Sequence, residues 1–308
     1  MMQIVRRQLN IDLPPGRSAF LWGPRKVGKS YWLQHHFRSA DDRMIDLLET
    51  DTFAEYAARP ALLRERWDGR RTISDEIQKV PALLDEVHWL IANRQASFLL
   101  TGSSARKLRR EHANLLAGRA WRYEMGPLSA TELSDFDLER ALWTGLVPPH
   151  VLSPDPEQDL RAYVADYLKE EIAAEAQVRN IPAFADFLRV AAISSGELIN
   201  YVNVAREVGV SAKVVRGYFE ILDDTLLGCR LPAWTRSSSR RMIQTEKFYL
   251  FDVGVANHLA RRRPRIGGSD FGRSFEHWVF MELLNYRRYR EPDLDLRFWR
   301  TSTGLEVD

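Results

Sequence analysis

Nine consecutive residues, Trp22-Gly23-Pro24-Arg25-Lys26-Val27-Gly28-Lys29-Ser30, constrain what this chain can fold into more than any other stretch. They follow a short apolar run from Ser18 to Trp22 and lead into a helical pattern marked by Tyr31, Trp32, Leu33 and Phe37. Gly23, four residues, then Gly28-Lys29-Ser30 is the phosphate-loop spacing, set between a strand and a helix as that motif requires. Glycine at both ends lets successive backbone N–H groups point inward at phosphate oxygens. Lys29 is the group that reaches the β- and γ-phosphates, and the Ser30 hydroxyl is the Mg²⁺ ligand. The helix that follows adds its positive N-terminal end. The stretch Gly23, Pro24, Arg25, Lys26, Val27, Gly28, Lys29, Ser30 and Tyr31 is therefore expected to bind a nucleotide.

A strand–loop–helix of this kind needs a parallel sheet around it, and the chain is long enough to supply one. Its 308 residues allow two or three domains, and 45% hydrophobic with 28% charged residues is ordinary for a globular protein. No run approaches the roughly 18 apolar residues of a membrane span. Arg6-Arg7 without an apolar stretch does not read as a secretory signal. The single cysteine, Cys229, offers neither a disulfide nor a metal cluster. A cytoplasmic protein without membrane association is expected. Net charge is only +2, yet Arg230 to Asp308 holds 15 Lys and Arg against 10 Asp and Glu, which points to an anionic partner at that end.

Downstream of the loop, Met44-Ile45-Asp46-Leu47 suits a buried strand, and Asp51 to Arg66 reads as a helix. Arg71 to Glu76 follows, and an aspartate at the C-terminal end of a strand is where parallel sheets place ligand groups. Asp75 is the expected Mg²⁺ carboxylate and Glu76 the expected general base. Thr72 and Ser74 dilute the usual aliphatic run of such a strand. Pro81 to Asn93 is a helix, and Ser97 to Thr101 a buried strand that ends in Thr101-Gly102-Ser103-Ser104. Two readings of that end stay open: a polar group beside the γ-phosphate, or a turn that caps the next helix. Arg119 precedes a further strand, Trp121 to Met125, and a guanidinium can stabilise charge on a transferring phosphoryl group from the same or a neighbouring subunit.

The second half reads as helices and a small sheet. Pro148-Pro149 and Pro154-Asp155-Pro156 mark a boundary. Glu157 to Val178 and Pro182 to Ile193 are amphipathic helices suited to a lid. Gly196 to Leu227 has helix-turn-helix proportions, with Gly209 in the turn and Ser211 as N-cap. Its second helix presents Lys213, Arg216, Asp223 and Asp224, a set poor in base-reading groups. Leu226 to Trp234 and Lys247 to Phe251 read as a hairpin whose tip runs Arg236 to Arg241, and Arg261 to Gly268 is a second basic loop. For these loops, contact with DNA or RNA and an ordinary solvated surface both stay open. Phe271 to Tyr286 is a helix carrying Glu276, and Leu296 to Asp308 a strand-like hairpin.

Five segments occur in order: Gly23 to Ser30, Asp75-Glu76-Ile77-Gln78-Lys79-Val80-Pro81, Leu100 to Arg106, Leu116-Ala117-Gly118-Arg119, and Gly126 to Ser129. With them the chain resembles the prokaryotic AAA+-type P-loop ATPases that carry a C-terminal winged helix and a restriction-endonuclease-like domain of unknown function. The resemblance implies an α/β fold, a P-loop NTPase parallel sheet in strand order 5-1-4-3-2, with a helical lid, a winged helix and a partial nuclease-like module. It implies an ATPase domain over 1–150, a lid over 151–195, a winged helix over 196–258 and the partial module over 259–308. ATP and Mg²⁺ are the implied cofactors. Lys29, Glu76, Thr101 (or Ser103 as the γ-phosphate sensor) and Arg119 are the implied catalytic set, with Ser30 and Asp75 on the metal. In the nuclease-like fold a helix Glu and a strand Asp precede a Glu-x-Lys strand. Glu276 and Asp308 match the first two positions and the sequence stops there, so DNA cleavage is not expected of this chain. The expected function is a Mg²⁺-dependent ATPase whose cycle moves the C-terminal module, as a monomer or a homo-oligomer. A non-hydrolysing nucleotide-gated binding module and a nuclease effector with a truncated site are the alternatives.

Overall fold

The computed structural model describes residues 5–104, 116, 118–171, 178–234, 246–300 and 306–307. Chain contacts divide it into two compact units, residues 9–126 and residues 1–8 with 127–308. Arg106, Ala117, the loop tip Arg236 to Arg241 and Asp308, all singled out above, lie outside the described residues.

Residues 9–126 are built on five strands: β1 (Ser18–Trp22), β2 (Arg43–Asp46), β3 (Thr72–Asp75), β4 (Phe98–Gly102) and β5 (Ala120–Glu124). All pair in parallel, in the order β2-β3-β4-β1-β5, which is the expected 5-1-4-3-2 counted from the other edge. Every residue of β1, β3 and β4 is buried. Parallel strands are covered on both faces, so continuous apolar runs such as Ala19-Phe20-Leu21 and Phe98-Leu99-Leu100 are what such strands require. The pairing of Trp22 with Gly102 and of Asp46 with Asp75 sets the C-terminal ends of β1 to β4 along one sheet edge. β1 lies between β4 and β5: the chain runs from β1 out to β2 on one side and crosses from β4 to β5 on the other, so the order reverses at β1, where the phosphate loop emerges. One expectation needs correction. The helix expected from Asp51 to Arg66 is two helices, Thr50–Ala58 and Leu62–Glu65, because Pro60 pushes Arg59 out of helical backbone (φ −146°, ψ 81°).

The second unit holds a three-stranded antiparallel sheet in the order β6-β8-β7, from β6 (Glu197–Leu198), β7 (Gly228–Leu231) and β8 (Lys247–Leu250). Helices Ile181–Ile193, Tyr201–Val208 and Ala212–Asp224 pack on it. The Ser211 hydroxyl caps the third of these at Val214 N (3.3 Å). Val215, Tyr218, Phe219 and Leu222 recur at helical spacing and are buried, and the Phe219 ring meets Phe187 at 4.9 Å and Phe248 at 4.8 Å. Helix Val253–Leu259 approaches helix Leu138–Thr144 so closely that a Cβ on Gly254 would stand 2.1 Å from Gly145 N. The long helix Phe271–Tyr289 lays Phe280 on Tyr249 with ring centroids 4.3 Å apart. A short antiparallel pair, β9 (Trp299–Arg300) with β10 (Glu306–Val307), follows.

Candidate nucleotide-binding site

The loop after β1 is bent by its glycines and one lysine. Gly28 (φ 97°) and Lys26 (φ 66°) both take left-handed backbone, which alternates the N–H directions into a concave cradle. Gly23 admits nothing larger, because a Cβ there would sit 2.4 Å from Met125 O. Val27 is fully buried and pins the loop from beneath. Lys29 is 4% exposed, and its Nζ donates to Gly23 O (2.7 Å) and Pro24 O (3.1 Å) while lying 3.8 Å from Glu76 Oε1. Burial lowers the Lys29 pKa from the usual lysine value, against the pull of Glu76 and Asp75, and Arg25 lowers it further. The two carbonyls and the nearby carboxylate hold this ammonium at the mouth of the loop.

The carboxylates arrive from the end of β3. Asp75 is 1% exposed and Glu76 8%. Ser30 Oγ donates to Asp75 Oδ2 at 2.5 Å, and Thr101 Oγ1 donates to Asp75 Oδ1. Glu76 N donates in turn to Thr101 Oγ1 (3.2 Å), so Thr101 bridges both acidic residues. Glu76 itself takes left-handed backbone (φ 57°, ψ 48°), a costly conformation for a residue with a Cβ. Ser103 Oγ donates to Glu76 Oε2 at 3.1 Å, and Gln78 Nε2 donates to the same oxygen and to Ser103 Oγ (3.0 Å).

The sequence expectation for Lys29, Ser30, Asp75, Glu76 and Thr101 thus converges on one cluster, and both members of the open pair Thr101 and Ser103 join it. Tyr31 is the third residue of the short helix Lys29–Trp32, and its ring lies 4.2 Å from that of His35. Arg119 is placed elsewhere. It precedes Ala120, which pairs with Ser18 at the start of β1, four strand residues and so about 13 Å from Trp22. Gln78 is the member of this cluster that the sequence reading does not single out. It lies within the Asp75 to Pro81 motif, and an amide two residues after a candidate base is the available signal.

Residues 16–134 match a family model described as an AAA domain. That stretch takes in all five strands of the parallel sheet and the glycine loop after β1. Residues 135–265 match a second family model, described as a domain of unknown function. An uncharacterized protein of Haemophilus influenzae is 24% identical over 229 residues, covering 68% of this chain and 56% of that protein. The chain thus spans little more than half the length of that curated relative. Among solved structures, the ADP form of Aeropyrum pernix ORC2 is similar at 12% identity and TM-score 0.36, with 89% of each chain covered. Caenorhabditis elegans PCH-2 is similar at 14% identity and TM-score 0.30, covering 68% of this chain and 62% of that one.

The candidate groups of the second unit are spent differently. Glu276 accepts from Lys247 Nζ (3.1 Å) and from Tyr249 OH (2.5 Å), so its carboxylate is already engaged. No group of three or more His, Cys, Asp or Glu able to hold a metal occurs among the described residues. In the second basic loop, Arg263 Nη2 bonds Glu157 at 3.0 Å and Arg262 Nη2 bonds Ile193 O at 2.6 Å. No helix among the described residues is long and apolar enough to cross a membrane.

Proposed function

We propose that the AAA domain hydrolyses ATP with Mg²⁺ and that this cycle drives the C-terminal half of the chain. The observation that carries the reading is the convergence of Lys29, Ser30, Asp75 and Glu76 at the loop end of β1 and β3. The donor set fits the cation: the Ser30 hydroxyl and the Asp75 carboxylate are hard oxygens held 2.5 Å apart. Ser30 and Asp75 would hold Mg²⁺, which neutralises charge on the β- and γ-phosphate oxygens when bound. Lys29 would leave its two loop carbonyls for the phosphates. Glu76 takes a proton from the attacking water as the new O–P bond forms, while the bond to the β-phosphate oxygen breaks and ADP departs with the negative charge. Thr101 holds Asp75 and Glu76 in register. Arg119, at the far end of β5, would act only from a neighbouring copy in a homo-oligomer.

The chain is read as an ATPase domain over 1–150, a lid over 151–195, a winged helix over 196–258 and a partial nuclease-like module over 259–308. The order helix, short strand, two helices and two strands, with β6-β8-β7 pairing, supports the winged helix. A DNA or RNA partner at the basic loops is part of the same reading. The pairing of Glu276 with Lys247 speaks against a nuclease centre. The test is calorimetry of ATP with Mg²⁺ together with phosphate release, with and without DNA or RNA. Lys29→Ala and Glu76→Gln are expected to cut turnover by about 10²-fold or more. Full turnover in Lys29→Ala overturns the reading, and tight ATP binding without phosphate release makes the protein a nucleotide-gated module instead.

A further inference from the structure

We propose that Gln78 is the positioning residue that aims the general base Glu76, a role that rests on the ATPase reading above. Three features that each cost stability meet at this side chain. Gln78 is 5% exposed and its Oε1 is buried without a hydrogen-bond partner, which costs stability. A methionine would fill the same space with no such penalty, so an amide here answers a need for its N–H donors. Gly102 leaves the room: a Cβ there would stand 2.6 Å from Gln78 Oε1 and 2.5 Å from the Trp22 ring. Glu76 accepts a left-handed backbone that turns its own side chain and that of Gln78 toward each other.

What these features achieve is an asymmetric carboxylate. Oε2 receives Gln78 Nε2 and Ser103 Oγ, both from buried residues, and is saturated by the protein. Oε1 receives neither and faces Lys29 Nζ at 3.8 Å, on the phosphate-loop side. The carboxylate is thereby clamped by one oxygen and presents the other. Oε1 is the atom that takes the proton, and Gln78 fixes where it stands. Ser103 shares the clamp, being both acceptor from Gln78 and donor to Glu76.

The experiment measures MgATP turnover, ATP affinity by calorimetry and melting temperature for Gln78→Met, Glu76→Gln and the double variant, in the full chain. Gln78→Met is expected to lower kcat about 10- to 100-fold, with ATP affinity unchanged and melting temperature unchanged or higher. In Glu76→Gln the clamped base is already gone, so adding Gln78→Met should cost no further turnover. A purely packing role would instead give a loss that adds to that of Glu76→Gln. Wild-type kcat in Gln78→Met, or an additive double variant, overturns the proposal while the ATPase reading stands. Absence of turnover in the wild type overturns both. Should Gln78→Met fail to fold, Gln78→Asn keeps the amide one methylene short and is expected to show the same kcat loss at unchanged affinity. Full kcat in Gln78→Asn also overturns the proposal.

Discussion

Both units of this chain bury charged side chains, and they do so to opposite ends. In residues 9–126 the buried Asp75 and Glu76 at the end of β3 are joined through Ser30, Thr101, Ser103 and Gln78, and the buried Lys29 beyond the glycine loop lies 3.8 Å from Glu76 Oε1. In the second unit Asp252, His277 and Arg7 are each held by partners of their own. Asp252 caps helix Val253–Leu259 through Val255 N (2.9 Å) and also receives Leu146 N (2.7 Å). The His277 Nε2 atom lies 2.6 Å from Leu250 O, and Arg7 Nε donates to Glu132 Oε1 at 3.1 Å. Burial of charge alone does not mark a site. A site is marked where several such groups share partners and one of them, here Glu76 Oε1, is left to face the ligand-binding loop.

The sharpest way to break that contrast is to disturb the frame around Asp252. Gly145 has φ 73° and ψ −170°, backbone that only glycine adopts without strain, and a Cβ there would fall 1.9 Å from Asp252 Oδ1. Gly145→Ala is expected to destabilise the chain by about 3–5 kcal/mol, a melting shift on the order of 10 °C. Melting within a degree of wild type would mean that Asp252 moves freely, and its role as a fixed element of architecture would be lost.

Acid sharpens the comparison further, because the second unit contains two buried groups of opposite sign. Burial pulls His277 down to about 4, helped by Arg262 and resisted by the Leu250 carbonyl. Burial likewise pushes Asp252 up to about 6, against its backbone N–H donors. For His277 the unfolded chain binds the proton first. Its contribution is whole above about pH 6.5 and is lost towards pH 4, to the extent of about 3 kcal/mol. For Asp252 the folded chain binds first, so lowering the pH from 6 to 4 relieves a burial penalty of about the same size. The two nearly cancel in the wild type. His277→Gln keeps a donor for Leu250 O and should make stability between pH 6.5 and 4.5 rise relative to wild type. Asp252→Asn should make it fall. Parallel curves for all three proteins, followed by denaturant unfolding across that range, would show that neither group titrates with folding.

The same contrast explains what could be read from residues alone. The spacing of Gly23 and Gly28-Lys29-Ser30 and the position of Asp75 at a strand end dictate local geometry, and the parallel sheet places them together with little choice. Thr72 and Ser74 dilute the aliphatic run, yet β3 lies inside the sheet, where the ladders to both flanking strands hold it. The break at Pro60 was available and outweighed by apolar periodicity on either side. Gln78 was invisible because its role depends on the left-handed turn at Glu76 and on the vacancy at Gly102, neither of which a motif spacing reports. Arg119 was read from its segment, whereas its place is set by the register of Ala120 with Ser18. In the second unit the chemistry expected of Glu276 rests on the resemblance alone. Its partners come from β8, far away in sequence.

That pairing gives the smallest of the expected effects and the most direct test of architecture against chemistry. Lys247 is 4% exposed, its ammonium 3.1 Å from Glu276 Oε1 and 5.6 Å from the centre of the Phe298 ring. Glu276 retains partial exposure, so the cost of removing it is mainly the cost of leaving Lys247 buried without its carboxylate. Glu276→Ala is expected to lose about 1–3 kcal/mol in denaturant unfolding. Adding Lys247→Met should return most of it, since a buried pair replaced by an apolar side chain of similar length removes the stranded charge. A carboxylate kept for metal chemistry would behave otherwise: Glu276→Ala would leave stability unchanged or raise it, and the second substitution would add its own loss. Recovery in the double variant therefore places the partly buried Glu276 beside Asp252 and His277 among the groups that hold the fold, and leaves the chemistry of the chain at the loop after β1.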